Sequence, residues 1–201
     1  MANFADCKNL APIWETLAHD FESEPDVLIA KVDAEAENSK ATTKNENVSG
    51  YPTIKFFPKG SKTAEVYSGG RTEKDFVDFI NSKSGTHRTV GGGLDQVAGT
   101  IETLDKIVSR LASSASISEV AEEVVKVAQG LKESTQHNYA KYYVKVLDKL
   151  RKSDKYAAKE LVRLEGLLKK GGLASTKMDE FTSKTNILRK FVEKVHHVDE
   201  L

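Results

Sequence analysis

The feature that most constrains this chain is a break in its pattern. Residues 84–93 read SGTHRTVGGG, and the consecutive glycines there offer no side chains to pack and a high ordering cost. Before the break, short β-branched runs alternate with helical patterns. After it, only helical patterns remain. The expected organisation is one domain over 1–83, a linker over 84–93, a second domain over 94–192 and a tail over 193–201. In a chain of 201 residues, both domains fall at the small end of the normal range.

The first half reads as mixed α/β. Leu10, Ile13, Trp14, Leu17, Ala18 and Phe21 recur at steps of three and four, which is one face of an amphipathic helix. Pro12 lies inside that pattern, removes a backbone donor and predicts a kink or a helix start nearby. VLIAKVDA, residues 27–34, is short and β-branched, as a buried strand would be. A polar stretch with room for a short helix follows. YPTIKFF, residues 51–57, predicts a second strand with Pro52 at its start, and AEVYSGG, residues 64–70, a third. Residues 72–83 predict a helix with Phe76, Val77, Phe79 and Ile80 on one face and Thr72 as its cap.

The second half predicts five helices in a compact all-α domain. Leu94, Val97, Ile101, Leu104, Ile107, Val108 and Leu111 form the first stripe. Ser116 with Glu119 makes a capping-box pattern ahead of Val120, Val124, Val127 and Leu131. Asn138 is placed to cap a helix carrying Tyr142, Tyr143, Val146, Leu147 and Leu150. Asp154 is placed to cap the next, which holds Leu161, Leu164, Leu167 and Leu168 and stops before Gly171. The fifth runs from about Thr176 to Val192. Tyr139, Tyr142 and Tyr143 are spaced as core residues.

Charge and cysteine content narrow the function. Thirty basic residues balance thirty acidic ones, so no global field favours nucleic acid or an anionic membrane. No apolar run approaches the roughly 20 residues that span a bilayer, and the N-terminus has no signal-peptide pattern. Cys7 is the single cysteine, so no intramolecular disulfide can form. His19, His87, His137, His196 and His197 have no ligand spacing; no metal site and no cofactor are expected. Asn47-Val48-Ser49 fits the glycosylation acceptor pattern but abuts a proline, and is expected to be unused.

The run CKNLAPIWE resembles the stretch that follows the redox motif in protein disulfide isomerases, where the chain reads WCGHCKNLAP. The resemblance continues through VLIAKVDAEAE, VSGYPTIKFFPKG and YSGGRTEKDFVDFI, and covers about the first 83 residues. GLLKKGGLASTKMDEFTSKTNILRKF resembles the all-helical C-terminal domain of fungal and plant members of the family, a domain shared with an endoplasmic reticulum chaperone of animals. The implied fold is a thioredoxin-like α/β domain, incomplete, followed by an all-α five-helix domain.

The resemblance also implies roles. In the family, a first cysteine at a helix N-terminus is favoured as thiolate and attacks a substrate disulfide, and a second cysteine three residues on resolves the adduct. Cys7 matches the resolving position, and Phe4 stands at the nucleophile's, with Ala5 and Asp6 between them. Tyr51, Pro52 and Thr53 match the substrate-binding loop with its cis proline. The family's central strand, which leads into the motif, has no counterpart here, so the chain is expected to be a fragment in which residues 3–6 are non-native. Val198, Asp199, Glu200 and Leu201 resemble a retention signal of the endoplasmic reticulum, whose receptor is an implied partner.

The function so implied is thiol-disulfide exchange and folding of secretory proteins in the lumen, performed by a parent protein. This chain lacks the nucleophilic cysteine. Unfolded or disulfide-containing secretory proteins are the implied clients. The alternative is a redox-inactive chaperone that binds clients without thiol chemistry. Neither nucleic acid binding nor membrane insertion is expected.

Overall fold

A computed structural model describes residues 4–113 and 115–195. It separates into two compact units, Met1–Gly93 and Leu94–Leu201.

In the first unit, helix α1 spans Phe4–Asp20 and runs through Pro12. Helix α2, Lys40–Asn45, is short and follows a single 3-10 turn. Strands β1, Lys55–Phe56, and β2, Glu65–Val66, form an antiparallel pair with Lys55 opposite Val66 and Phe56 opposite Glu65. Helix α3 spans Glu73–Ser84 and packs on α1. Thr72 caps α3 as its sequence predicts, in a reciprocal box with Asp75, and Gly85 ends the helix in the left-handed conformation.

The core of this unit gathers Leu10, Leu17 and Phe21 from α1 with Phe76, Val77 and Ile80 from α3. Aromatic edges complete it. Trp14 meets Phe76 edge-on at 5.6 Å, and Tyr67 meets Phe79 at 4.8 Å. Each large side chain buried here contributes about 1.5–3 kcal/mol.

The strand predicted over 27–34 does not form. The segment is extended, with Val27 and Ile29 against the core and Trp14 Nε1 donating to the Ala30 carbonyl at 3.1 Å. Its other face is bare, with Leu28 88% and Val32 63% exposed. A strand needs a neighbour to complete its ladder, and among the described residues none runs beside it. The strands predicted over 51–57 and 64–70 shorten to two residues each, paired with one another. Among the described residues the sheet of the first unit has two strands.

Residues 84–93 are more than a tether. Arg88 is 5% exposed, its Nε donates to Glu24 Oε1 at 2.7 Å, and an Nη donates to the Gly92 carbonyl at 2.9 Å. Asn81 grips the Arg88 backbone from α3, accepting from its N–H and donating to its carbonyl. The buried guanidinium, which glycine-based reading of the segment overlooked, folds it onto the first unit.

The second unit holds five helices: α4, Glu102–Val108; α5, Ile117–Gly130; α6, His137–Leu150; α7, Tyr156–Lys170; and α8, Ser175–Val195. The box of Ser116 with Glu119 opens α5 as predicted, and Gly171 follows α7 with positive φ. Asn138 and Asp154 are not caps. The residues before α6 and α7 are Gln136 and Lys155, neither making a side-chain cap bond, because each helix is entered from a preceding turn that already supplies backbone acceptors.

The first apolar stripe is only partly helical. Residues 94–100 form turns pinned to α8 by Asn186, whose amide donates to the carbonyls of Asp95 and Ala98 at 2.8 and 3.1 Å. Tyr143 is the hub of the core and is fully buried, as is its ring partner Phe191. Tyr142 is buried too, but Tyr139, expected in the core, lies in the first turn of α6 and is exposed.

Candidate functional site

The residues singled out by sequence lie on α1 and on the loop before β1. Cys7 sits in the first turns of α1, half-buried, as a free thiol. Its neighbour Asp6 faces the Arg71 guanidinium at 3.9 Å, an exposed pair of small energetic weight. Phe4 is the first residue of the helix.

The Tyr51–Pro52 peptide bond is cis. Tyr51 and Pro52 are half-buried and Thr53 is exposed. The loop is tied at its ends. Lys55 Nζ pairs with Glu46 Oε2 at 2.9 Å, both side chains being largely buried, and also donates to the Glu46 carbonyl. Thr53 Oγ1 donates to the Gly50 carbonyl at 2.6 Å. The cis bond thus sits inside a ring closed by Glu46 and Lys55. No hydrogen bond or ion pair joins Cys7 to Tyr51, Pro52 or Thr53 among the described residues. Val198, Asp199, Glu200 and Leu201, with His196 and His197, lie outside the described residues.

Sequence reading passed over an acidic pair at the other end of α1, in which Asp20 is buried and Glu73 half-buried. Asp20 is 2% exposed and its Oδ2 meets no N–H or O–H donor. Burial first, and then the hydrogen bond and charge of the Glu73 carboxyl beside it, push Asp20 up to about 6. The Gly91 N–H, donating 3.1 Å to Glu73 Oε1, and the charge of His19 act in the opposite direction on Asp20 or hold its partner in place. No local motif marks such a pair, because its members come from different elements.

In chemical terms, one thiol in a chain with one cysteine can form a mixed disulfide with another molecule but cannot alternate between dithiol and disulfide. The helical unit offers a buried apolar core.

Residues 4–82 match the thioredoxin family model, and residues 99–191 match the model of the endoplasmic reticulum protein ERp29 C-terminal domain. The two together define a thioredoxin-fold protein with an ERp29-type helical domain behind it. The chain is similar to protein disulfide-isomerase erp38 of Neurospora crassa, with 61% identity over 188 residues, covering 94% of this chain and 51% of the relative. It is 58% identical over 196 residues to protein disulfide-isomerase tigA of Aspergillus niger, covering 97% and 52%. It is 45% identical over 189 residues to probable protein disulfide-isomerase A6 of Medicago sativa, covering 90% and 50%. The chain belongs to the protein disulfide isomerase family. It spans about half the length of the curated relatives it matches.

Proposed function

We propose that the parent protein carries out thiol-disulfide exchange on secretory proteins in the lumen of the endoplasmic reticulum, and that this chain has no dithiol cycle of its own. The carrying observation is Cys7 as the single cysteine; the resemblance matches it to the resolving position of a family whose chemistry needs two. The family relationship and the terminal Val198-Asp199-Glu200-Leu201 support the lumenal location, and no described helix is long and apolar enough to cross a membrane. The receptor for that tail and unfolded secretory clients are the proposed partners.

A scrambled-disulfide refolding assay tests the chemistry. The chain should show no turnover above the uncatalysed rate. Turnover that disappears in Cys7→Ser would overturn the reading. Location is tested by fractionation, where the protein should resist protease until detergent opens the lumenal membrane.

A second reading, client binding without redox chemistry, is favoured by the same cysteine count. It separates cleanly from the first, since suppression of aggregation of a reduced secretory client should be unchanged in Cys7→Ser.

A further inference from the structure

The triplet Asn47-Val48-Ser49 was set aside in the sequence because it abuts the Tyr51–Pro52 loop. The structure separates the two. Tyr51 and Pro52 are half-buried, whereas Asn47 and Ser49 are exposed. Asn47 follows α2 in the left-handed conformation, with φ of 51°. Its N–H donates to the Lys44 carbonyl at 3.1 Å, and the Val48 N–H reaches back to Thr43 at 3.0 Å. This is the double bond pattern that ends a helix on a left-handed residue, and asparagine tolerates that backbone better than most side chains. The backbone at Asn47 is therefore held by its own hydrogen bonds. Neither the Asn47 amide nor the Ser49 hydroxyl makes a hydrogen bond to another described residue. A substituent on Asn47 Nδ2 breaks no native contact, and beside it lies an open depression rimmed by Lys40, Thr43 and Lys44.

We propose that Asn47 is an N-glycosylation site, an inference that rests on the lumenal location proposed above. The donor is an oligosaccharide carried on a lipid pyrophosphate. The Asn47 amide nitrogen bonds to the anomeric carbon of the first sugar as the bond from that carbon to the pyrophosphate oxygen breaks. The lipid pyrophosphate leaves with the electron pair, and the amide gives up one proton. Ser49 is the residue the transferase reads, and the middle residue, Val48, is not the proline that would block it. The glycan then stands on the turn that leads into the cis-proline loop.

The test uses the full chain behind a cleavable leader, with a control acceptor triplet in an N-terminal tag, translated in the presence of microsomes. Glycans are counted by gel mobility before and after endoglycosidase. Two glycans on the unsubstituted chain, falling to one in Asn47→Gln, Ser49→Ala and Asn47→Gly, support the proposal. Asn47→Gly matters because it keeps the left-handed helix end and removes only the acceptor. Ser49→Thr should retain both glycans. The control glycan alone on the unsubstituted chain overturns the proposal. Because the leader forces import, that failure is distinct from a failure of the lumenal reading, which fractionation of the natural protein decides.

Discussion

Asp20 and Glu73 bring two carboxyl groups together behind one backbone N–H, that of Gly91, at the point where residues 88–93 fold back onto the first unit. Gly92 crosses directly over Asp20, at positive φ, with its Cβ position 3.2 Å from the Asp20 Cα. The pair is satisfied when one carboxyl holds a proton. The folded-state pKa of Asp20 rises from 3.8 to about 6, so its protonation stabilises the folded chain. That contribution is fully present below about pH 4 and is lost as pH rises through about 6, to a total of about 2–3 kcal/mol. Asp20→Asn should abolish the slope, because its amide donates to Glu73 at every pH. Trp14, the single tryptophan, reports the first unit. Denaturation followed by its fluorescence should show the variant gaining more on the parent at pH 7.5 than at pH 4.5. Parallel pH profiles would count against the pair.

Arg88 and Glu24 form an enclosed ion pair in the first unit, with side chains 4% and 20% exposed. Arg88→Ala leaves Glu24 without its cation and the Gly92 carbonyl without its donor, at an expected cost of about 3–5 kcal/mol. Arg88→Lys should recover only part, since an ammonium cannot reproduce the fork of the guanidinium. Urea denaturation read by Trp14 measures both.

The extended segment over 27–33 has no ladder partner among the described residues and leaves the side chains of Leu28 and Val32 exposed. Such an edge invites pairing with another chain. Amides of residues 28–33 should exchange with solvent within seconds, and the chain should self-associate as concentration rises. Leu28→Lys with Val32→Lys should reduce association without changing the far-ultraviolet dichroism. Strong protection of these amides in a monomer would refute the expectation.

Tyr143 holds two elements of the helical unit with one hydroxyl, which donates to Asp105 Oδ1 and accepts from the Ile101 N–H at 3.1 Å. Burial, more than the Asp105 hydrogen bond, pushes the phenol well above its ordinary range. Tyr143→Phe keeps the ring and removes the bonds, leaving the Ile101 N–H without this acceptor in the interior. The expected loss is about 1–3 kcal/mol, read by thermal dichroism at 222 nm.

Gly99 has φ of +78°, and a Cβ there would lie 2.6 Å from the Ser183 Cβ. Gly99→Ala should therefore destabilise the helical unit by about 1–3 kcal/mol through both backbone strain and overlap. Trp14 fluorescence, sensing the other unit, should not move with it.

What the sequence determined by itself was local in cause. The capping boxes at Thr72 and Ser116 work within four residues, the five apolar stripes of 94–192 within a few turns, and the left-handed stop at Gly171 within one. The family motif carried the cis bond at Pro52 in the same way. What only the tertiary structure decided depends on distance between residues far apart in the chain. The segment at 27–33 has the composition of a strand, but a ladder is a property of two segments, and no described segment pairs with it. Arg88 reaches Glu24 across 64 positions, and Tyr143 reaches Asp105 across 38. Asp20 is an ordinary polar residue at a helix end until α3 and residues 88–93 close over it, and desolvation by those neighbours, which no local pattern encodes, is what sets its proton affinity.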